Sequence, residues 1–159
     1  MVNFIERNDL LVVLPYFHYE IINILKIIKN TKYNYGKITI KFHPTTDINR
    51  YRDSVPTEAV ISNVDIYDLF NRSKIILSIG SGTLVEGVSV GIPAIVLKNT
   101  EKYSHNPLPV IGKTIVWDYA NNELDVQRLI EKFNYKLDYE KDKLLKYATI
   151  YKEMFFCEP

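Results

Sequence analysis

Four residues near the middle of the chain, Gly80-Ser81-Gly82-Thr83, have the types and spacing to hold an anion. The two glycines let a ligand approach the backbone where a Cβ would otherwise stand, and the two hydroxyls add donors at the start of a helix. Unpaired amides and the helix dipole at such a start favour negative charge, so phosphate suits this turn whatever the net charge of the protein. The alternative reading is a tight strand-to-helix turn with no ligand. Glu86, further along the same helix, is either a ligand-facing carboxylate or a surface partner of the N-terminal dipole. Gly91 can end that helix in a left-handed conformation.

These residues need a framework that aims them at one place. Leu10 to Leu14 is a continuous apolar run stopped by Pro15, as expected of a strand buried on both faces. From Glu20 to Lys29 the apolar residues Ile21, Ile22, Ile24, Leu25, Ile27 and Ile28 form a broad helical stripe, with Lys26 and Lys29 left for water. Lys37 to Phe42 reads as a second strand, ended by His43-Pro44 because proline has a fixed φ and no N–H. After a polar loop come a strand at Glu58 to Ser62 and a short helix at Asp65 to Asn71. Strand Lys74 to Ile79, helix Ser81 to Val90 and strand Pro93 to Leu97 follow, punctuated by glycines 80, 82 and 91. A connecting loop over 98–112, a strand at Lys113 to Trp117 and two helices at about 121–156 complete the chain.

Strands alternating with helices predict an α/β fold, a doubly wound, mainly parallel six-stranded sheet, as one Rossmann-like domain over residues 1–159. Ligands of such sheets bind beyond the carboxyl ends of the strands, near the point where strand order reverses. That rule directs attention to His43, Ser62, Gly80 to Thr83 and the loop after Leu97.

The segment KIILSIGSGTLVEGVSVGIPAIVL, residues 74 to 97, resembles the C-terminal domain of GT-B glycosyltransferases, in particular the peptidoglycan N-acetylglucosaminyltransferase and lipid-A disaccharide synthase. The resemblance spans roughly residues 55 to 97. It implies that Gly80, Ser81, Gly82 and Thr83 cradle the phosphates of a nucleotide-sugar donor and that Glu86 accepts from its ribose hydroxyls. The upstream VISNVDIYDLFNRS resembles the strand and short helix that hold the nucleotide base in this family, which places Ile61 and Ser62 near the base. KFHP, residues 41 to 44, resembles the His-Pro pair of capsule-polymer glycosyltransferases, bacterial sialyltransferases and glycerophosphate-polymerising enzymes. That likeness implies a cytidine nucleotide, with His43 as the catalytic candidate that stabilises phosphate or the departing nucleotide; the two resemblances together leave a UDP- or CMP/CDP-linked donor expected.

In these families the acceptor and the catalytic base lie largely in an N-terminal domain, for which 159 residues leave no room. The missing half is expected from a longer chain or a partner subunit. The expected function is transfer of a glycosyl or related group from the donor to a surface-polysaccharide or lipid-linked acceptor. A nucleotide-sugar epimerase of the same architecture, a non-catalytic nucleotide-binding module and a dinucleotide-dependent oxidoreductase are the alternatives. The loop from Glu101 through Lys102, Tyr103, Ser104 and His105 to Asn106 occupies the position where the family contacts donor sugar, but its sequence is not diagnostic.

Other signals point nowhere in particular. Gly112-Lys113-Thr114 has the ending of a P-loop but Pro107 where the first glycine belongs. Gly80-Ser81-Gly82 imitates a dinucleotide fingerprint, but Val85 replaces its third glycine. His18, His105, the formal glycosylation sequon Asn71-Arg72-Ser73 and the twelve tyrosines are read as incidental. One cysteine, Cys157, excludes an internal disulfide and a cysteine-cluster metal site; no metal and no cofactor are expected. Twenty basic against nineteen acidic side chains give a net charge of +1, which argues against a nucleic-acid partner. With no apolar run of membrane-spanning length, the expected place is the cytoplasm, with peripheral attachment at the inner face of the membrane left open.

Overall fold

The computed structural model describes residues 7–98 and 105–156. Glu101 to Ser104, in the loop expected to contact donor sugar, and Cys157 lie outside the described residues. Six strands form one sheet in the order β3-β2-β1-β4-β5-β6: β1 (Asp9–Val13), β2 (Ile38–Lys41), β3 (Ala59–Ile61), β4 (Ser73–Ser78), β5 (Ala94–Leu97) and β6 (Trp117–Ala120). All five pairings are parallel. The helices are α1 (His18–Lys29), α2 (Ile66–Phe70), α3 (Thr83–Ser89), α4 (Glu123–Tyr139) and α5 (Lys141–Phe156). This is the Rossmann-like α/β architecture expected, with the strand order reversing between β1 and β4.

Alternation along the strands explains why both sheet faces are covered. Leu10, Val12 and Leu14 pack with Ile21, Ile24, Leu25 and Ile28 of α1 and with Val126, Leu129, Ile130 and Phe133 of α4. Leu11 and Val13 turn to the other face, where Leu84, Val85 and Val88 of α3 and Leu144 and Tyr151 of α5 meet them. A period of two thus fills two cores from one strand, which is why β1 reads as unbroken apolar sequence. Lys26 and Lys29 of α1 face water, as its stripe requires.

One element differs from expectation. The last strand is Trp117–Ala120, four residues beyond the predicted start at Lys113. Gly112 and Thr114 take φ of 77° and 69°, and the amides of Ile115 and Val116 both return to the Gly112 carbonyl, so this stretch is a turn. Val116 and Trp117 are buried, and their burial mimics a strand at 113–117. The polar loop between β2 and β3 also contains two short 3₁₀ turns, Ile48–Arg50 and Arg52–Ser54, that seat the buried Tyr51. Among the described residues no helix is long and apolar enough to cross a membrane.

Candidate functional site

At the strand-order reversal the ends of β1 and β4 separate, and a cleft of about 680 Å³ opens above them. The last laddered pair is Val12 with Leu77; one residue further, the fully buried Ser78 hydroxyl donates to the Val13 carbonyl at 2.7 Å. That side chain replaces the ladder bond lost as the strands diverge, and so fixes the floor of the cleft.

The wall contributed by β4 is the small-residue turn. Gly80 has φ +61°, and a Cβ there would sit 2.6 Å from the His105 carbonyl. The protein itself uses the space at Gly80. Gly82 is different: a Cβ there would meet nothing within 4 Å. Its open side is room for something outside the chain. Ser81 Oγ accepts from the Thr83 amide at 3.3 Å, closing the turn locally, while the amides of Ser81 and Gly82 find no acceptor among the described residues. Among the described residues they are donors without a partner at the start of α3, the arrangement that suits an anionic oxygen.

Opposite stands His43, just past β2. Its Nδ1 lies 2.8 Å from Thr45 Oγ1 and accepts from the Thr45 amide at 3.3 Å. Tyr16 meets the ring edge-on, centroids 5.6 Å apart. The wall from β1 is aromatic: Pro15, Tyr16, Phe17 and Tyr19 line the cleft, with Phe17 stacked on Tyr19 at 6.0 Å. Phe17 also holds the cap position of α1 and offers no side-chain hydrogen bond there, so the start of a twelve-residue helix faces the same cleft without a side-chain cap.

Of the residues singled out in the sequence, His43, Gly80, Ser81 and Thr83 line this cleft together. Gly82 lies in the same turn with its open side to solvent. Ile61 ends β3 and Ser62 follows it, three strands from β4, or roughly 14 Å at the usual spacing. Ser62 is buried and its hydroxyl accepts from the Val64 amide at 3.2 Å. The loop that follows carries Asp65 and Ile66 into the cleft, and Lys41 holds it by donating to the Val64 carbonyl at 2.7 Å. Glu86, half-buried on α3, acts on the Tyr67 hydroxyl of α2. Hydrogen bonding toward this carboxylate first, and its charge second, raise the Tyr67 pKa.

Sequence reasoning missed the β1 wall and His105. The rule about strand ends applies to β1 as much as to β4, but only the strand order reveals that these two ends are neighbours. The tyrosines set aside as incidental include Tyr16 and Tyr19 of this wall. His18 instead serves the framework, its Nδ1 lying 2.8 Å from the Tyr51 hydroxyl. Among the described residues no cluster of His, Cys, Asp and Glu is arranged to hold a metal.

The fold is that of a GT-B C-terminal domain. Three solved structures illustrate the match, each covering 92% of this chain: a glycotransferase of kitacinnamycin (12% identity, TM-score 0.62), the wall teichoic acid polymerase TagF with CDPG (13%, 0.56), and the UDP-GlcNAc 2-epimerase of Neisseria meningitidis bound to UDP-GlcNAc (25%, 0.56). The chain spans 40%, 38% and 40% of those proteins' lengths, respectively. No family model and no curated protein matches the sequence.

Proposed function

We propose that this chain is the donor-binding half of a glycosyltransferase that moves a sugar or related group from a nucleotide-activated donor to a surface-polysaccharide or lipid-linked acceptor. One observation carries the reading. An imidazole and a small-residue turn whose amides are unpaired among the described residues, far apart in sequence, face one cleft at the strand-order reversal. The Ser81 and Gly82 amides and the Thr83 hydroxyl would take the donor's phosphate oxygens, and His43 would donate to the charge that builds on the nucleotide as its bond to the sugar breaks. Glu86 would exchange Tyr67 for the ribose hydroxyls, and the loop after Ile61 and Ser62 would meet the base. The kinship in fold with a polymerase of cell-envelope polymer and with an enzyme bound to UDP-GlcNAc supports a UDP- or CMP/CDP-linked donor. Its place would be the cytoplasm, at the inner face of the membrane where a lipid-linked acceptor would be met.

Because the chain spans about two fifths of these neighbours, a second domain or subunit would supply the acceptor site and the other wall of the cleft. Binding and turnover then separate. Titrating the chain with UDP-, CMP-, CDP- and GDP-linked sugars beside NAD, read by NMR, should give binding to one nucleotide class and none to NAD. Labelled donor with a candidate acceptor extract should give negligible product until the second half is added. Shifts confined to a remote surface, or efficient transfer by the chain alone, overturn the reading. The 25% identity to a UDP-GlcNAc 2-epimerase favours epimerisation as the second reading. If the reconstituted protein inverts C2 of UDP-linked GlcNAc with no acceptor present, that reading replaces transfer.

A further inference from the structure

We propose that Thr45 is a positioning residue that fixes His43 as the neutral tautomer protonated on Nε2, so that the cleft presents an uncharged N–H donor to its ligand. The inference deepens the reading of the cleft as a phosphate site and rests on it for the identity of the ligand, but the tautomer itself follows from local geometry. A backbone amide can only donate. Since the Thr45 amide points at His43 Nδ1, 3.3 Å away, that nitrogen offers its lone pair, and the Thr45 hydroxyl at 2.8 Å donates to the same atom. A proton on Nδ1 would face the amide proton head-on. In the neutral ring it therefore resides on Nε2.

The surroundings give this consequence. His43 lines the cleft, its Nδ1 is turned back to its own chain, and Nε2 has no hydrogen-bond partner among the described residues. Tyr16 meets the imidazole edge-on at 5.6 Å and limits how far the ring can swing. Pro44, which contributes no amide proton, leaves the Thr45 amide as the first one after the histidine. The His-Pro-Thr order thus has a physical sense in which the third residue matters as much as the first. A neutral Nε2–H can donate to an anionic oxygen without the imidazole first taking up a proton.

Long-range ¹H–¹⁵N correlation of the unliganded protein at about pH 8, where free imidazole is neutral, reads the tautomer directly. The expected result is Nε2–H for His43. Thr45→Val removes the closer hydroxyl contact and leaves only the long 3.3 Å amide contact to hold the ring, so it should shift the ring toward a tautomer mixture and weaken CMP or UDP binding by about 2- to 10-fold, the range of one net hydrogen bond. Thr45→Ser should restore both. A wild-type Nδ1–H signal overturns the inference. So does a Thr45→Val protein with an unchanged tautomer. If the tautomer behaves as expected while neither CMP nor UDP perturbs His43, the positioning role stands and the nucleotide reading of the cleft falls.

Discussion

Two turns of identical topology face each other across the cleft and differ in almost every side chain. After β1 the chain runs Pro15-Tyr16-Phe17 into α1; after β4 it runs Gly80-Ser81-Gly82 into α3. Both lead a buried strand into a helix at the strand-order reversal, and each helix carries one acid in its first turn, Glu20 and Glu86. Topology alone would make either turn a phosphate site. Side-chain bulk separates them. Tyr16 and Phe17 stand 62% and 56% exposed and keep a ligand away from the β1 backbone, whereas the Gly82 backbone has open space where a side chain would be. On the proposed reading the fourth strand, not the first, carries the phosphate-holding turn, while the first supplies an aromatic wall.

Four substitutions break or sharpen that contrast. Gly80→Ala should have the largest effect, because a left-handed φ is unfavourable for any side chain and the His105 carbonyl occupies the space. A loss of about 2 kcal/mol or more, seen as a melting temperature lower by about 4–8 °C, is expected. Gly82→Val should leave the melting temperature nearly unchanged and weaken nucleotide binding by about tenfold or more, equivalent to about 1.4 kcal/mol. Full affinity in that variant would remove the phosphate from this turn. Glu86→Gln should cost about 3- to 10-fold for a nucleotide and leave inorganic phosphate unaffected by calorimetry, since the carboxylate is assigned to ribose. Equal losses for the two ligands would count against ribose recognition. Tyr16→Ala should be the mildest: its exposed ring adds little to the core, and phosphate affinity should change by less than about threefold. A larger loss there than in Gly82→Val would reverse the comparison.

Much of the fold was legible because β1, β4 and β5 are buried on both faces and so are built around short apolar runs, while Ile21, Ile24, Leu25 and Ile28 keep a helical period. The last strand was not legible, since Val116 and Trp117 are buried whether they lie in a turn or a strand. The turn at Gly80 to Thr83 was legible from its composition. The two glycines looked alike in sequence and proved different in space, one filled by the His105 backbone and one open, a distinction no local pattern encodes.

What the sequence determined by itself was therefore most of the elements, the small-residue turn at residues 80–83 and the interest of His43, because these depend on local period, on the absence of Cβ atoms and on the chemistry of single side chains. What the tertiary structure alone decided was which strand ends are neighbours. Strand order placed β1 beside β4 and brought Tyr16 against His43 and His105 against Gly80. Those partners are distant along the chain, and their meeting is set by how two cores pack on opposite faces of one sheet, a property of the whole chain rather than of any segment.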